Sequence, residues 1–190
     1  MSSMYRRAHR GVTLVELIVF IVIVGVAMAG LFAAFNTITA ASADPQARKQ
    51  VLAIAESLME EVQLMPFTHC DPDDANAATA GIGGCAIAAN NEDLVMGPEG
   101  GETRYAAPQF DNVSDYHGAP IGPGIRDIQG NSIAGLEAYS ATITITRAGA
   151  ALGLALDEDA LKISIQVNHP SGVSMTLEGY RTRYAPNTLP

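Results

Sequence analysis

The chain has 190 residues and a formal net charge of −9, with 20 acidic side chains against 11 basic ones, and only two cysteines. That length allows one domain with a real core plus a non-globular extension. Arg6, Arg7 and Arg10 all precede residue 12, and without them eight basic residues face 20 acidic ones, a net of −12. A body that acidic repels phosphate backbones, which argues against nucleic acid as the main partner.

The first element is an apolar run. After Glu16, 27 consecutive residues from Leu17 to Ala43 carry no charge, enough helix to span a hydrocarbon core of about 30 Å. Basic residues ahead of the run and acidic ones behind it place the N-terminus in the cytoplasm and the body outside. An uncut signal anchor fits this pattern, and Ala27-Met28-Ala29 would serve loosely as the cleavage site of a secretory signal. Neither reading explains Glu16. A carboxylate in a spanning helix costs roughly 2.5–3.5 kcal/mol near the centre and less near the interface. A residue kept at that cost has a partner waiting. Gly25 and Gly30, inside the run, are either packing sites for neighbouring helices or points where the helix loosens.

From Val12 to Met65 the only break signal is Pro45. Val51, Ile54, Leu58, Val62 and Met65 share one face, with Arg48, Lys49, Gln50, Glu56, Glu60 and Glu61 opposite, as in an amphipathic helix. Asp44 as N-cap and Pro45 at the first helical position offer a second start. The segment is therefore one kinked helix or two helices meeting near residue 44, ended by Pro66.

Residues 67–137 are rich in Gly, Pro and Asp and cannot form long strands or helices. Cys70 and Cys85, outside the cytoplasm, are expected as a disulfide. Closing that ring is worth about 3 kcal/mol in the chain-entropy estimate. His69 with nearby aspartates lacks the second pair that a zinc site needs, so no metal ligand is assigned. Asp115-Tyr116-His117 reads as solvated loop structure, with a calcium or sugar contact as the rival.

Three alternating runs follow. Tyr139, Ala141, Ile143 and Ile145 form the first, Leu161, Ile163, Ile165 and Val167 the second, and Val173, Met175 and Leu177 the third. They read as an antiparallel meander with one buried face, which the Val51–Met65 stripe would cover. The expected fold class is α+β: a long N-terminal helix, with a membrane half and an amphipathic half, on a C-terminal antiparallel sheet.

The order Arg6-Arg7-Ala8-His9-Arg10-Gly11, then Val12-Thr13-Leu14-Val15-Glu16-Leu17, resembles the prepilin leader of the type IV pilin superfamily. The resemblance implies residues 1–11 as leader peptide, 12–43 as the transmembrane and assembly half of the helix, and 44–190 as an external pilin-like domain. It implies cleavage between Gly11 and Val12 by a membrane prepilin peptidase and N-methylation of Val12. Glu16 is then the assembly residue, paired with a neighbouring subunit's N-terminal ammonium. The subunit would sit in the bacterial inner membrane with its N-terminus inside, and then in an extracellular pilus among other pilins. Family members often carry a Pro where this chain has Ala33.

Ala55-Glu56-Ser57-Leu58-Met59-Glu60-Glu61, Pro66-Phe67, the Gly97–Arg104 segment, Phe110–Gly118 and Tyr180–Tyr184 together resemble minor pilins of the mannose-sensitive haemagglutinin (MSHA) pilus. This implies a subunit that initiates, caps or decorates a surface-attachment filament, with a surface glycan or other tip ligand as an open partner. A minor pseudopilin of a type II secretion system is the alternative. No His-Glu-x-x-His, Gly-x-Ser-x-Gly, Walker or Cys-x-x-Cys pattern is present, so neither an enzyme nor a cofactor-binding protein is expected.

Overall fold

The structure is a computed structural model and describes residues 13–184. The leader and the Gly11–Val12 junction lie outside the described residues. The chain divides into two compact units, Met1–Pro45 and Gln46–Pro190.

Helix α1 (Leu14–Leu64) runs unbroken for 51 residues with Pro45 inside it. Of the two arrangements open from the sequence, one helix through Pro45 or two helices meeting near residue 44, the chain takes the first. Proline removes one hydrogen bond and crowds the preceding turn, and the ladder continues on either side of it. Near the other end, Met65 leaves the helix because the residue before a proline avoids the α region, and Pro66 follows. Within the first unit, Leu14–Phe35 is a 22-residue stretch of mean hydropathy 2.9, long and apolar enough to cross a membrane. Leu17, Ile21, Val22, Phe32 and their apolar neighbours there are exposed.

In the second unit, four strands form one antiparallel meander in chain order: β1 (Pro120–Ile121), β2 (Ser140–Arg147), β3 (Ala160–Asn168) and β4 (Ser174–Thr182). The three alternating runs are β2, β3 and β4. The register sets Ile143 opposite Ile165 and Ile145 opposite Ile163. In the next pair Ile165 faces Leu177 and Ile163 faces Gly179. Period-two alternation thus stacks the branched side chains into rows on one face. Val51, Ile54, Ala55, Leu58, Met59 and Val62 of α1 are buried in one core with those rows. The helical period of 3.6 is what brings these residues to a single face. Gly179 lets the helix approach: a Cβ there would stand 2.9 Å from Met59 Sδ and 3.1 Å from Gln63 Nε2. The α+β, pilin-like arrangement expected from the sequence is the one observed. The addition is β1, too short to show a period.

The expectation for Glu61 needs correcting. It is not a solvated member of the polar face. Arg104 donates from Nε to Glu61 Oε1 at 2.6 Å and from Nη2 to Oε2 at 2.5 Å. The Tyr116 hydroxyl donates to Oε1 at 3.0 Å. Arg104 also reaches the Arg126 carbonyl, at 3.1 Å. A bidentate pair of this geometry fixes the loops around residues 104, 116 and 126 on the flank of the helix.

Removing one partner leaves the other buried and uncompensated, which costs about 3–5 kcal/mol. Glu61→Ala should therefore lower stability by that amount in urea unfolding of the detergent-solubilised full chain. The double change Glu61→Leu with Arg104→Met should recover much of the loss. Equal losses in single and double variants would contradict this account of the pair.

Candidate functional site

Two places concentrate chemistry: the entrance of α1, and the loops between α1 and β1. At the helix entrance, Thr13 precedes the first helical residue. Its hydroxyl accepts from the Glu16 backbone N–H at 3.3 Å, and its carbonyl accepts from the Leu17 N–H at 3.1 Å. Thr-x-x-Glu is the capping-box pattern, in which the first residue satisfies an orphan N–H of the opening turn. An acid in that turn also faces the positive end of the helix dipole. The Thr13-x-x-Glu16 spacing carries this box in the sequence itself, alongside the leader junction. Glu16 is exposed in a belt of exposed Leu14, Val15, Leu17 and Ile18.

The second place begins with backbone pairing. Cys70 bridges Asn91 in antiparallel fashion. The Asp71 N–H donates to the Asn90 carbonyl at 2.9 Å, and the Glu92 N–H to the His69 carbonyl at 3.1 Å. The Cys70–Cys85 disulfide, with Cα atoms 5.5 Å apart, closes the loop between them. Inside that loop the Asp74 carboxylate accepts from the N–H groups of Asn76 and Ala86 at 2.9 Å and of Ile87 at 3.0 Å. A Gly-rich stretch with no regular element is ordered by one aspartate and one covalent link.

This pairing sets Asp71 opposite Asn90 and Glu92 opposite His69. A turn at 99–102, closed by the Glu102 N–H on the Glu99 carbonyl at 2.9 Å, brings Glu99 and Glu102 to the same centre. Asp115 arrives from a single 3-10 turn, Ser114–Tyr116. Its Oδ2 accepts from the N–H groups of Asp111 at 2.9 Å and Asn112 at 2.7 Å. Asn112 in turn donates to Thr68 Oγ1 at 2.7 Å. The Ser114 hydroxyl donates to Glu92 Oε2. Asp115 and Tyr116 are therefore core residues, not the solvated loop expected. The physical reason is that Asp115 satisfies two backbone donors while Tyr116 packs edge-on against Phe110, ring centroids 5.0 Å apart.

Carboxylates converge here in three overlapping groups: Glu92, Glu99 and Asp115; Asp71, Glu99 and Glu102; Asp71, Asp73 and Asp111. Within each group one oxygen per residue lies within 4.8 Å of the others. Exposure is 0% for Asp115, 2% for Glu92, 3% for Asp71, 8% for Glu102 and 9% for Glu99. His69 does not join them. Its Nδ1 lies 2.9 Å from Asp93 Oδ2 and 2.7 Å from Arg183 Nη1, and Arg183 pairs with Asp93 at 2.6 Å. A guanidinium beside the imidazole disfavours a metal at that position.

Burial and then mutual repulsion push the carboxyls up. Asp115 rises to about 6, Asp111 and Glu99 to about 7, Glu102 to about 8 and Glu92 to about 10. Burial alone disfavours the charged form, and neighbouring like charges add to it. Beyond the rival reading at Asp115, the sequence gives no sign that these carboxylates meet, because they come from loops separated by up to 44 positions.

Two expectations follow. Cys70→Ser should lower stability by about 3 kcal/mol, read by chemical unfolding, and should leave the loop holding Asp74 open to proteolysis. For the carboxyls, folded pKa values above the unfolded range of about 4 mean that the fold favours the protonated forms. Their contribution is complete below about pH 4 and is lost as pH rises through roughly 6–10, most of the groups by about pH 8. In metal-free buffer the melting temperature should fall between pH 5 and pH 8, and Glu99→Gln should flatten that fall.

Compared with known proteins, residues 6–32 match the family described as the prokaryotic N-terminal methylation motif. No curated protein and no solved structure matches the chain. The motif covers the leader junction, Thr13, Glu16 and most of the apolar stretch of α1; with the α+β body it supports a type IV pilin-like protein, pilin or pseudopilin, and it implies processing by a prepilin peptidase and assembly with other pilins.

Proposed function

We propose that the chain is a non-enzymatic minor pilin of an MSHA-type type IV pilus, similar to the minor pilin MshD, that helps initiate, cap or decorate the filament for surface attachment. The observation that carries the reading is the position of Glu16. It is an exposed carboxylate in the opening turn of an apolar helix, five residues after the Gly11 of a methylation motif. In a filament, the methylated ammonium of Val12 enters an apolar bundle, and a neighbour's Glu16 compensates it. Support for the MSHA branch comes from the segments at 55–61, 97–104, 110–118 and 180–184. A minor pseudopilin of a type II secretion system shares the leader and the fold and is the second reading.

Glu16 has a competing role as the third helical residue of the capping box. Gln fills that position as well as Glu, so the charge is separable from the cap. Intact-mass analysis of membrane-extracted protein should find a mature chain beginning with methylated Val12. Glu16→Gln should insert and be cleaved as wild type does, yet be lost from sheared surface filaments by tenfold or more. Incorporation of Glu16→Gln at wild-type level, with loss only in Glu16→Ala, would assign Glu16 to capping and remove the assembly role. Co-purification with secretion pseudopilins instead of surface filaments would select the second reading.

A further inference from the structure

Buried carboxylates are normally paired with donors or cations. Among the described residues, no ion pair reaches Asp71, Glu92, Glu99, Glu102, Asp111 or Asp115. Several of their oxygens are both buried and without a hydrogen-bond partner: Glu92 Oε1, both oxygens of Glu99, Glu102 Oε2, Asp111 Oδ1 and Asp115 Oδ1. The pattern within single residues is informative. Asp115 commits Oδ2 to two backbone N–H groups and leaves Oδ1 without a donor. Glu92 commits Oε2 to Ser114 and leaves Oε1. One oxygen holds each side chain in place and the other is presented to the centre, the division of labour seen around ligating carboxylates. Glu99, between them, presents both.

From this geometry we propose that the loop region binds a calcium ion through Glu92, Glu99 and Asp115, with Asp71 and Glu102 extending the oxygen shell on the Glu99 side. The donor set is all oxygen, with neither His nor Cys converging, which selects hard cations over zinc or copper. Calcium takes six to eight oxygens in flexible arrangements. Magnesium demands a tighter octahedron and keeps several waters. A centre assembled from four separate loop segments, with side chains from both Asp and Glu, suits the larger ion. The assignment is independent of whether the filament is a pilus or a pseudopilus. It takes up, at Asp115, the calcium contact that the sequence leaves open as the rival to solvated loop structure.

The test uses the detergent-solubilised full chain, stripped with chelator and dialysed at pH 7.5. Titration with CaCl2 should give saturable binding by calorimetry. The melting temperature should rise with the logarithm of calcium concentration, by about 5–10 °C at a hundredfold excess over Kd. Glu99→Gln keeps the shape and removes one negative charge from the centre, so it should fold and lose at least tenfold in calcium affinity. Three results would overturn the proposal: no response of the wild type to calcium, which would leave a centre held by shared protons; an equal response to MgCl2 at matched ionic strength; or full calcium affinity in Glu99→Gln.

Discussion

Packing of the Val51–Val62 stripe of α1 on the isoleucine rows of β2 and β3 is the constraint from which the second unit is built. Each fully buried branched side chain is worth about 1.5–3 kcal/mol, and Ile143, Ile145, Ile163, Ile165, Val51 and Val62 are all at or near zero exposure. The stripe has meaning only if the helix keeps its period and the strands keep theirs. A one-residue slip of β3 would turn its apolar row to solvent. With that layer pair fixed, the C-terminal end of α1 and the start of β1 stand at fixed places, and the residues between them have a frame to fold against.

What fills the frame is polar and irregular, and it is held by specific pairs where a core would otherwise do the work. Glu61 takes Arg104 and Tyr116, Asp93 takes Arg183, Asp74 takes three backbone donors, and one disulfide closes the loop. Pairs of this kind contribute little net stability but penalise every wrong arrangement, since a stranded partner is costly. That is how 71 residues with so little regular structure (67–137) adopt one arrangement. The same economy explains why the acidic centre stands out. Among the described residues, the other buried charges of the loops, Asp74, Asp93 and Arg104, have partners.

The sequence was informative where a pattern repeats and uninformative where a single distant contact decides. Period two over β2 and β3 and period 3.6 over 51–62 are redundant signals, so strands, helix and core were all readable. The Asp44-Pro45 pair looked like a helix start because capping rules are local, whereas the helix carries on through them. Glu61 looked solvated because its neighbours at 56 and 60 are. Its partner lies 43 positions away, beyond any periodic signal. The carboxylates of the acidic centre failed for the same reason. As a string they are an acidic, loop-forming composition, and only the pairing of 69–71 with 90–92 turns them inward.

That inward turn changes what the charge count means. The sequence pI of about 4.7 treats each carboxylate as a free one, but Asp71, Glu92, Asp93, Glu102 and Asp115 are buried. Asp93 pairs with Arg183, which the net charge already counts, while burial raises the pKa of Asp71, Glu92, Glu102 and Asp115 and favours their neutral forms. The field felt by an approaching polyanion is thus weaker than a net charge of −9 suggests, and the focusing point of the folded protein lies above the sequence value. Electrostatic exclusion of other acidic surfaces, including neighbouring subunits, is correspondingly milder. Close lateral contact between acidic bodies becomes physically affordable.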